Sequence, residues 1–372
     1  MNRSVGHMTM LVAGTAIGGG VLMLPVLVSR TGILWGLLAN GLTAGMMSIT
    51  AWFMALDYLR NSGADSSHFG IYGENPWVRR GILSIYIFLY VALLVAYSTG
   101  ISNVMAHLLA DETSKKWIWM GIVWLILGGI VVAGPEWLQV HNSLLMGLLL
   151  FFCWRLLFPC FRHLRWENFS YSDGRFFGSL FPIFICSYGF HVVIPTVCRS
   201  LNGCRRSIGL AIGCGSLLTL AVYTLFLVGS IGFLSRDVLG KAFEQNLPVT
   251  LPLGERLGQN MVFYGTAISL FAMVTSFLGV GESFARFLSD NRYLPSVAWG
   301  RMLVLTIPLV GGLKVGALLL KSLSGAGIVC GILFGILPTV SWVQRQSRRT
   351  FRWFGFVLIF GFVAVVGMAW KF

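Results

Sequence analysis

Charged side chains are scarce in this chain. They make up 11% of its 372 residues, and only 13 residues are acidic. Hydrophobic residues account for 56% of the sequence, and the mean hydropathy is +0.79. Apolar runs long enough to cross a bilayer recur along the whole chain. This composition excludes a water-soluble globular protein and predicts an all-α integral membrane protein.

Motifs of metal binding and catalysis are also missing. The seven cysteines form no Cys-x-x-Cys pair and no Cys/His spacing suited to zinc, so we expect no disulfide, no certain metal site and no cofactor. There is no Walker motif to couple the chain directly to ATP. Asp57, Asp65 and Glu74 lie at predicted helix ends or in a loop, at the membrane interface, without the spacing of a catalytic set. We therefore predict that the protein is not an enzyme. A membrane-embedded acyl or prenyl transferase is one alternative, and a channel or structural membrane protein is another.

The net charge of +14 comes from basic residues scattered over many short loops. This distribution favours contact with the anionic surface of a lipid bilayer over binding to nucleic acid. Loop arginines such as Arg60, Arg79 and Arg80 predict that the N-terminus is cytoplasmic.

The hydropathy pattern predicts about eleven transmembrane helices in a single transporter domain over residues 1–372. The longest connection, 235–259, contains Pro248 and Pro252 and is expected to hold a small surface helix. The predicted helices are 8–28, 33–57, 81–109, 117–134, 143–161, 176–198, 208–234, 260–288, 298–320, 323–343 and 352–371.

Two of these segments share a Gly-x5-Pro motif, at Gly19/Pro25 and at Gly189/Pro195. An unsatisfied peptide group is costly in lipid, so a helix is broken there only where the freed backbone lines a cavity. When the two motifs are aligned, at an offset of 170 residues, the segment 8–161 corresponds to 176–343, and 352–371 is an extra helix. Because each copy has an odd number of helices, the second is inverted. Paired broken helices in inverted repeats indicate the binding site of a secondary transporter.

Three segments resemble the hydroxy/aromatic amino acid permeases, the bacterial tyrosine- and tryptophan-specific transporters. They are GTAIGGGVLMLP over residues 14–25, SYGFHVVIP over 187–195 and TSFLGV over 275–280. The resemblance implies a LeuT-type core of five plus five helices, followed by one extra C-terminal helix. It also implies symport of an amino acid, tyrosine or tryptophan or both, across the bacterial cytoplasmic (inner) membrane.

The first broken helix is predicted to hold the substrate carboxylate. By resemblance, the donors are the backbone amides of Ala16, Gly19 and Gly20, at the positive end of the following half-helix. The alternative is that these glycines serve close helix packing. Tyr90 and Tyr97 share one face of the third helix, and by resemblance to related transporters one of them, with Tyr97 favoured, is expected to bond the same carboxylate.

The second broken helix is predicted to hold the substrate ammonium and side chain. Backbone carbonyls from Ser187 to His191 and the Ser187 hydroxyl would bind the ammonium group. Phe184, Tyr188 and Phe190 would face an aromatic substrate through stacking or edge-to-face contact. The alternative for each of these aromatic side chains is ordinary core or lipid packing.

The coupling ion has two candidates, sodium and a proton. A sodium site is implied by the carbonyls of Gly14, Ile17 and Ala272 with the hydroxyls of Thr275 and Ser276, unless these hydroxyls bond back to their own helix.

A proton carrier is the other possibility. Intramembrane His191 and Glu282 are the candidates. A neutral, hydrogen-bonded His191 and an ion pair between Glu282 and Arg286 are the corresponding structural alternatives. Family resemblance favours the proton, whereas the choice between tyrosine and tryptophan and the oligomeric state stay undetermined.

Overall fold

The computed structural model describes residues 3–61, 76–108, 121–122, 125–126, 129–130, 132, 135–245, 247–291, 293–311, 319–345 and 349–369. All regular secondary structure in these ranges is helical, and no β-strand occurs among them. The predicted all-α class is therefore confirmed.

Fifteen α-helices of the described ranges are numbered in chain order. A π-helical segment, Gly331–Ile336, joins α13 to α14, and a 3₁₀ turn, Phe190–Val193, leads into α7. The α-helices are α1 Arg3–Ala16, α2 Gly19–Val28, α3 Ile33–Asn61, α4 Pro76–Leu108, α5 Pro135–Arg162, α6 Phe177–Ser187, α7 Ile194–Ser200, α8 Arg205–Phe233, α9 Arg236–Glu244, α10 Thr250–Leu257, α11 Gln259–Asp290, α12 Val297–Gly311, α13 Leu319–Cys330, α14 Leu337–Gln344 and α15 Arg349–Ala369.

Within the described ranges, seven helical segments are long and apolar enough to cross a membrane, and the bent pair α1–α2 adds an eighth. The predicted helix 117–134 lies largely outside the described residues, so the total of eleven stays a prediction. Three helices begin before their predicted starts, α1 at Arg3 rather than 8, α4 at Pro76 rather than 81 and α5 at Pro135 rather than 143, although the apolar span within α5, Ser143–Arg162, matches the predicted one. Proline is tolerated in a first helical turn, where its missing N–H costs no bond. The connection 235–259 holds two short helices, α9 and α10, instead of one.

The two broken segments, α1–α2 and α6–α7, lie at the centre of the bundle. Every residue of α2 is buried, and 89% of the apolar window in Gly174–Ser200 is buried, the largest share among the spans. Helix α1 packs against α8, α5 and α11, while α6 packs against α13, α3 and α2. Neither broken segment is therefore a lipid-facing helix.

The end of α2 is fixed by two connections. The Val249 amide donates to the Leu22 carbonyl over 2.9 Å, and the Asp173 amide donates to the Thr31 carbonyl over 2.8 Å. Gly32 has a φ of +93°, and a side chain there would collide with the Tyr171 carbonyl. Glycine is needed at this point because it adopts positive φ and allows the close approach. The second half of the first broken helix is thus held by the segments before α6 and α10.

The contact between α13 and α6 supports a first prediction. A Cβ atom on buried Gly327 would overlap the Pro182 carbonyl, whereas a Cβ on exposed Gly325 meets nothing within 4 Å. Gly327→Ala should lower the free energy of unfolding by about 1–3 kcal/mol through overpacking. Gly325→Ala, two residues away on the same helix, is the matched control and should be neutral or slightly stabilising. The midpoint of thermal unfolding in detergent measures both. Equal midpoints for the two variants would contradict the packing described here.

Candidate functional site

The first helix breaks at Ile17 and Gly18, where α1 and α2 meet with a bend of 50°. The Gly18 amide turns back to the Ala16 carbonyl over 2.7 Å. Gly19 and Gly20 begin α2, and the first amides of a helix have no acceptor within it. Ala16 is the last residue of α1, so its amide belongs to that helix and its carbonyl faces the break.

The second broken helix is interrupted at Tyr188 and Gly189, between the end of α6 and the turn 190–193. Its chain resumes as α7, with Pro195 in the first turn. The Ser187 hydroxyl donates to the Ile183 carbonyl over 2.7 Å, which occupies the side chain that was predicted to bind an ammonium group. The two breaks adjoin, because a Cβ on Gly20 would overlap Ser187.

A tyrosine that the sequence analysis did not single out joins the two breaks. The Tyr223 hydroxyl, from α8, donates to the Ala16 carbonyl at 2.7 Å and lies 3.1 Å from the Ser187 carbonyl. Its ring is fully buried and lies edge-on to Tyr188, with ring centroids 5.3 Å apart. A buried tyrosine hydroxyl needs a partner. Its position in the middle of an apolar span was therefore a usable signal, although the sequence does not name the partners.

Tyr188 is anchored to α3. Its hydroxyl donates to the Asn40 side-chain oxygen over 2.8 Å, and the Asn40 amide donates to the Thr224 hydroxyl over 3.2 Å. Phe184 and Phe190 are fully buried. These three predicted aromatic residues therefore pack within the protein around the second break.

Tyr97 of α4 comes close to the first break. Its ring lies 3.4 Å from the position that a Cβ on Gly18 would take, and Ser276 flanks the same point. Its exposed fraction is 9%, larger than that of the other aromatic site residues, Phe184, Tyr188 and Phe190. The structure thus brings Tyr97 to the break at which the carboxylate contact was predicted.

The predicted sodium ligands are only partly convergent. The Ser276 hydroxyl of α11 lies 3.2 Å from the carbonyls of both Gly14 and Thr15. The Thr275 hydroxyl bonds back to its own helix, to Phe271 at 2.9 Å and Ala272 at 3.1 Å. Thr275 therefore follows the back-bonding alternative, whereas Ser276 links α11 to α1 beside Ile17.

His191 is buried in an aromatic stack. Its ring lies between Phe190 and Phe334, with centroid distances of 5.2 and 4.9 Å. Its Nε2 atom and the Thr50 hydroxyl of α3 are 3.0 Å apart. Its Nδ1 atom has no hydrogen-bond partner among the described residues. One ring nitrogen is thus held by α3, and the other is unsatisfied beside the second break.

Glu282 forms ion pairs with two arginines rather than one. Arg286 donates to it at 2.7 Å, and Arg301 of α12, which the sequence analysis missed, donates to both carboxylate oxygens at 2.9 Å. The carboxylate is 2% exposed, and three charge-assisted hydrogen bonds compensate its burial. Protonation of Glu282 would break these pairs, so the geometry favours the structural alternative.

Asp57, predicted at the membrane interface, lies near the end of α3 and is enclosed there by protein. It is 3% exposed and accepts hydrogen bonds from Ser341 at 2.6 Å and from Arg345 at 2.5 Å. A second pair, Arg199 with Asp290 at 2.9 Å, joins α7 to α11. Asp57 is buried and Asp290 is half-buried, and each is paired with an arginine from a distant part of the chain, which a single helix does not reveal.

Comparison with known proteins identifies relatives along nearly the whole chain. The model of the tryptophan/tyrosine permease family matches residues 1–370. The tyrosine-specific transport system 2 of Haemophilus influenzae is 28% identical over 94% of this chain and 90% of its own length. The tryptophan-specific transport protein of Shigella flexneri is 24% identical over 92% and 86%. The crystal structure of MhsT in complex with L-phenylalanine matches with a TM-score of 0.64 at 12% identity, over 98% of this chain and 97% of that one. This last likeness shows a LeuT-type fold.

The contact between the two breaks gives a second prediction. Gly20→Ala should be destabilising by about 1–3 kcal/mol, because its Cβ would overlap the side chain of Ser187. Adding Ser187→Gly removes the colliding atoms and should recover part of the loss. Gly213→Ala, whose Cβ meets nothing within 4 Å, is the control. Thermal unfolding midpoints of the single and double variants form the cycle, and strict additivity would mean that the two breaks do not touch.

Proposed function

The chain belongs to the tryptophan/tyrosine permease family, and on this basis we propose that it is a secondary active symporter importing tyrosine, tryptophan or both across the bacterial cytoplasmic membrane. The observation that carries this proposal is the meeting of two helix breaks in the most buried part of the bundle. Interrupted helices at membrane depth are typical of transporter binding sites. The aromatic ligand of MhsT, L-phenylalanine, supports the substrate class.

The proposed topology has a cytoplasmic N-terminus and eleven spans. Residues 8–161 and 176–343 form the inverted repeats, and 352–371 is the extra helix. Transport follows alternating access, in which α1–α2, α3, α6–α7 and α8 move together against α4, the predicted helix 117–134, α11 and α12. The Arg199–Asp290 pair and the contact of Ser276 with Gly14 cross between these two groups of helices and must rearrange during the cycle.

In this proposal the substrate binds across the two breaks. Its carboxylate accepts hydrogen bonds from the free amides of Gly19 and Gly20, with Tyr97 alongside. The positive end of the α2 dipole stabilises this negative charge. The ammonium group binds freed carbonyls of the second break, and Phe184, Tyr188 and Phe190 shape the space around the aromatic ring.

We propose a proton as the coupling ion and His191 as its carrier. In the tautomer whose Nε2 donates to Thr50, the unpartnered Nδ1 atom beside the break is the proton-accepting position, whereas Glu282 is already paired with two arginines. A buried polar face of α3 runs from Asn40 through Thr43 and Thr50 to Asp57. This spacing of 3 and then 7 and 7 keeps the four residues on one side of the helix, and the face provides a path from His191 towards the cytoplasmic end.

Sodium coupling is the second candidate, and one observation favours it. The Ser276 hydroxyl and the Gly14 carbonyl already adjoin between α11 and α1, as a sodium site there requires. Rotation of the Thr275 hydroxyl away from its own helix would add a further oxygen ligand, with Ile17 and Ala272 supplying carbonyls. Hard cations such as sodium prefer oxygen ligands of this kind.

A third prediction tests substrate and ion together. Purified protein in liposomes should accumulate radiolabelled tyrosine or tryptophan under an inward proton gradient, with choline replacing sodium. Unlabelled aromatic amino acids should compete, whereas leucine and alanine should compete poorly. A protonophore at zero membrane voltage should abolish accumulation. A requirement for millimolar sodium without any effect of the pH gradient would reverse the ion assignment, and effective competition by alanine would reject the aromatic one.

A fourth prediction tests His191 as the proton carrier. His191→Gln should abolish uphill accumulation but preserve exchange of internal for external substrate, because exchange needs no net proton movement. Thr50→Val removes the partner of Nε2 but keeps the imidazole, so it should retain accumulation at a reduced rate. Accumulation and exchange are measured in the same liposomes. Full accumulation by His191→Gln would rule out His191 as the carrier.

A further inference from the structure

The C-terminal ends of α1 and α6, which carry partial negative charge, face the same point. Helix α1 ends at Ala16 and α6 ends at Ser187, and the carbonyl oxygens of these two residues both face the Tyr223 hydroxyl. A helix C-terminus carries about half a negative charge on its unpaired carbonyls. In broken-helix transporters such ends and unwound carbonyls bind cations. By charge alone, this point would attract a cation.

A neutral hydrogen-bond donor occupies that point instead. The Tyr223 oxygen is 2.7 Å from one carbonyl and 3.1 Å from the other, which is the geometry of one O–H shared between two acceptors. The ring cannot swing away easily, because it is fully buried and packs edge-on against Tyr188. Tyr188 is in turn hydrogen-bonded to Asn40, which also bonds Thr224, the neighbour of Tyr223 on α8.

We propose that Tyr223 is a positioning residue whose phenol replaces a cation between the two breaks. Its hydroxyl joins the Ala16 carbonyl, which also accepts the Gly18 amide, to the Ser187 carbonyl, and so fixes the separation of the two half-helix ends. The amides of Gly19 and Gly20 and the carbonyls of the second break therefore stay aligned for the main-chain groups of the substrate. The uptake measurements that test this inference rest on the proposed function. The unfolding measurements rest only on the observed hydrogen bonds.

Tyr223→Phe tests the replacement, because it keeps the ring and removes only the donor. It leaves two carbonyl oxygens facing a small gap, which sodium or lithium should then enter. In choline, uptake should fall roughly tenfold, the factor equivalent to about 1.4 kcal/mol. Sodium or lithium should restore part of the uptake and raise the thermal unfolding midpoint of this variant beyond any response of the wild type. Tyr86→Phe, which removes a buried hydroxyl that donates to the Leu333 carbonyl, is the control and should show no added cation response.

A donor placed back at the same point should reverse the effect. Incorporation of 4-aminophenylalanine at position 223 restores an N–H and should restore uptake without a cation response. If Tyr223→Phe does not fold, this variant becomes the test, and its failure to transport overturns the proposal. Wild-type uptake by Tyr223→Phe, or reduced uptake with no cation response, also overturns it.

The transport proposal can fail separately from this one. If the wild-type protein takes up neither tyrosine nor tryptophan, the proposed substrates are wrong. The sodium and lithium dependence of the unfolding midpoint still reports whether Tyr223 fills a cation position, since that measurement needs no substrate.

Discussion

Hydrogen bonding of the backbone at the two helix breaks is the constraint on which the rest of this structure depends. A peptide group left without a partner in lipid costs several kcal/mol, so broken helices must be surrounded by protein. Here they occupy the centre of the bundle, and the Tyr223 hydroxyl binds the carbonyls that end α1 and α6. The other helices enclose this pair, which keeps its remaining free amides available to a ligand.

Buried charge imposes a second constraint. Asp57 is paired with Arg345, Glu282 with two arginines and the half-buried Asp290 with Arg199, and the pairs of Asp57, Asp290 and Arg301 connect distant parts of the chain. An unpaired carboxylate at such depth would be strongly unfavourable, whereas a paired one holds two helices in register. Any motion that separates these ion pairs must provide each charge with water or another partner.

The helix breaks were predictable because their signal is local. Glycine weakens a helix whatever surrounds it, and the structure interrupts the two helices at Ile17–Gly18, directly before Gly19, and at Tyr188–Gly189, whereas Pro25 lies inside α2. The approach of Ser276 to Gly14 also follows the resemblance. The binding roles of the site residues stay proposals, because hydrogen bonds within the protein do not identify a ligand. Thr275, which bonds back to its own helix, illustrates the limit, since one hydroxyl can serve either role.

The sequence by itself determined an all-helical membrane protein, the positions of its two breaks and its family resemblance, because hydropathy, glycine and proline act over a few consecutive residues. Only the tertiary structure decided which side chains meet. Tyr223 reaches two residues that are 207 and 36 positions away, Asn40 holds Tyr188 from 148 positions away, and Arg301 joins Glu282 from the next helix. Periodicity tells which face of a helix is buried but not which helix covers it, so partners across helices emerge only once the bundle has packed.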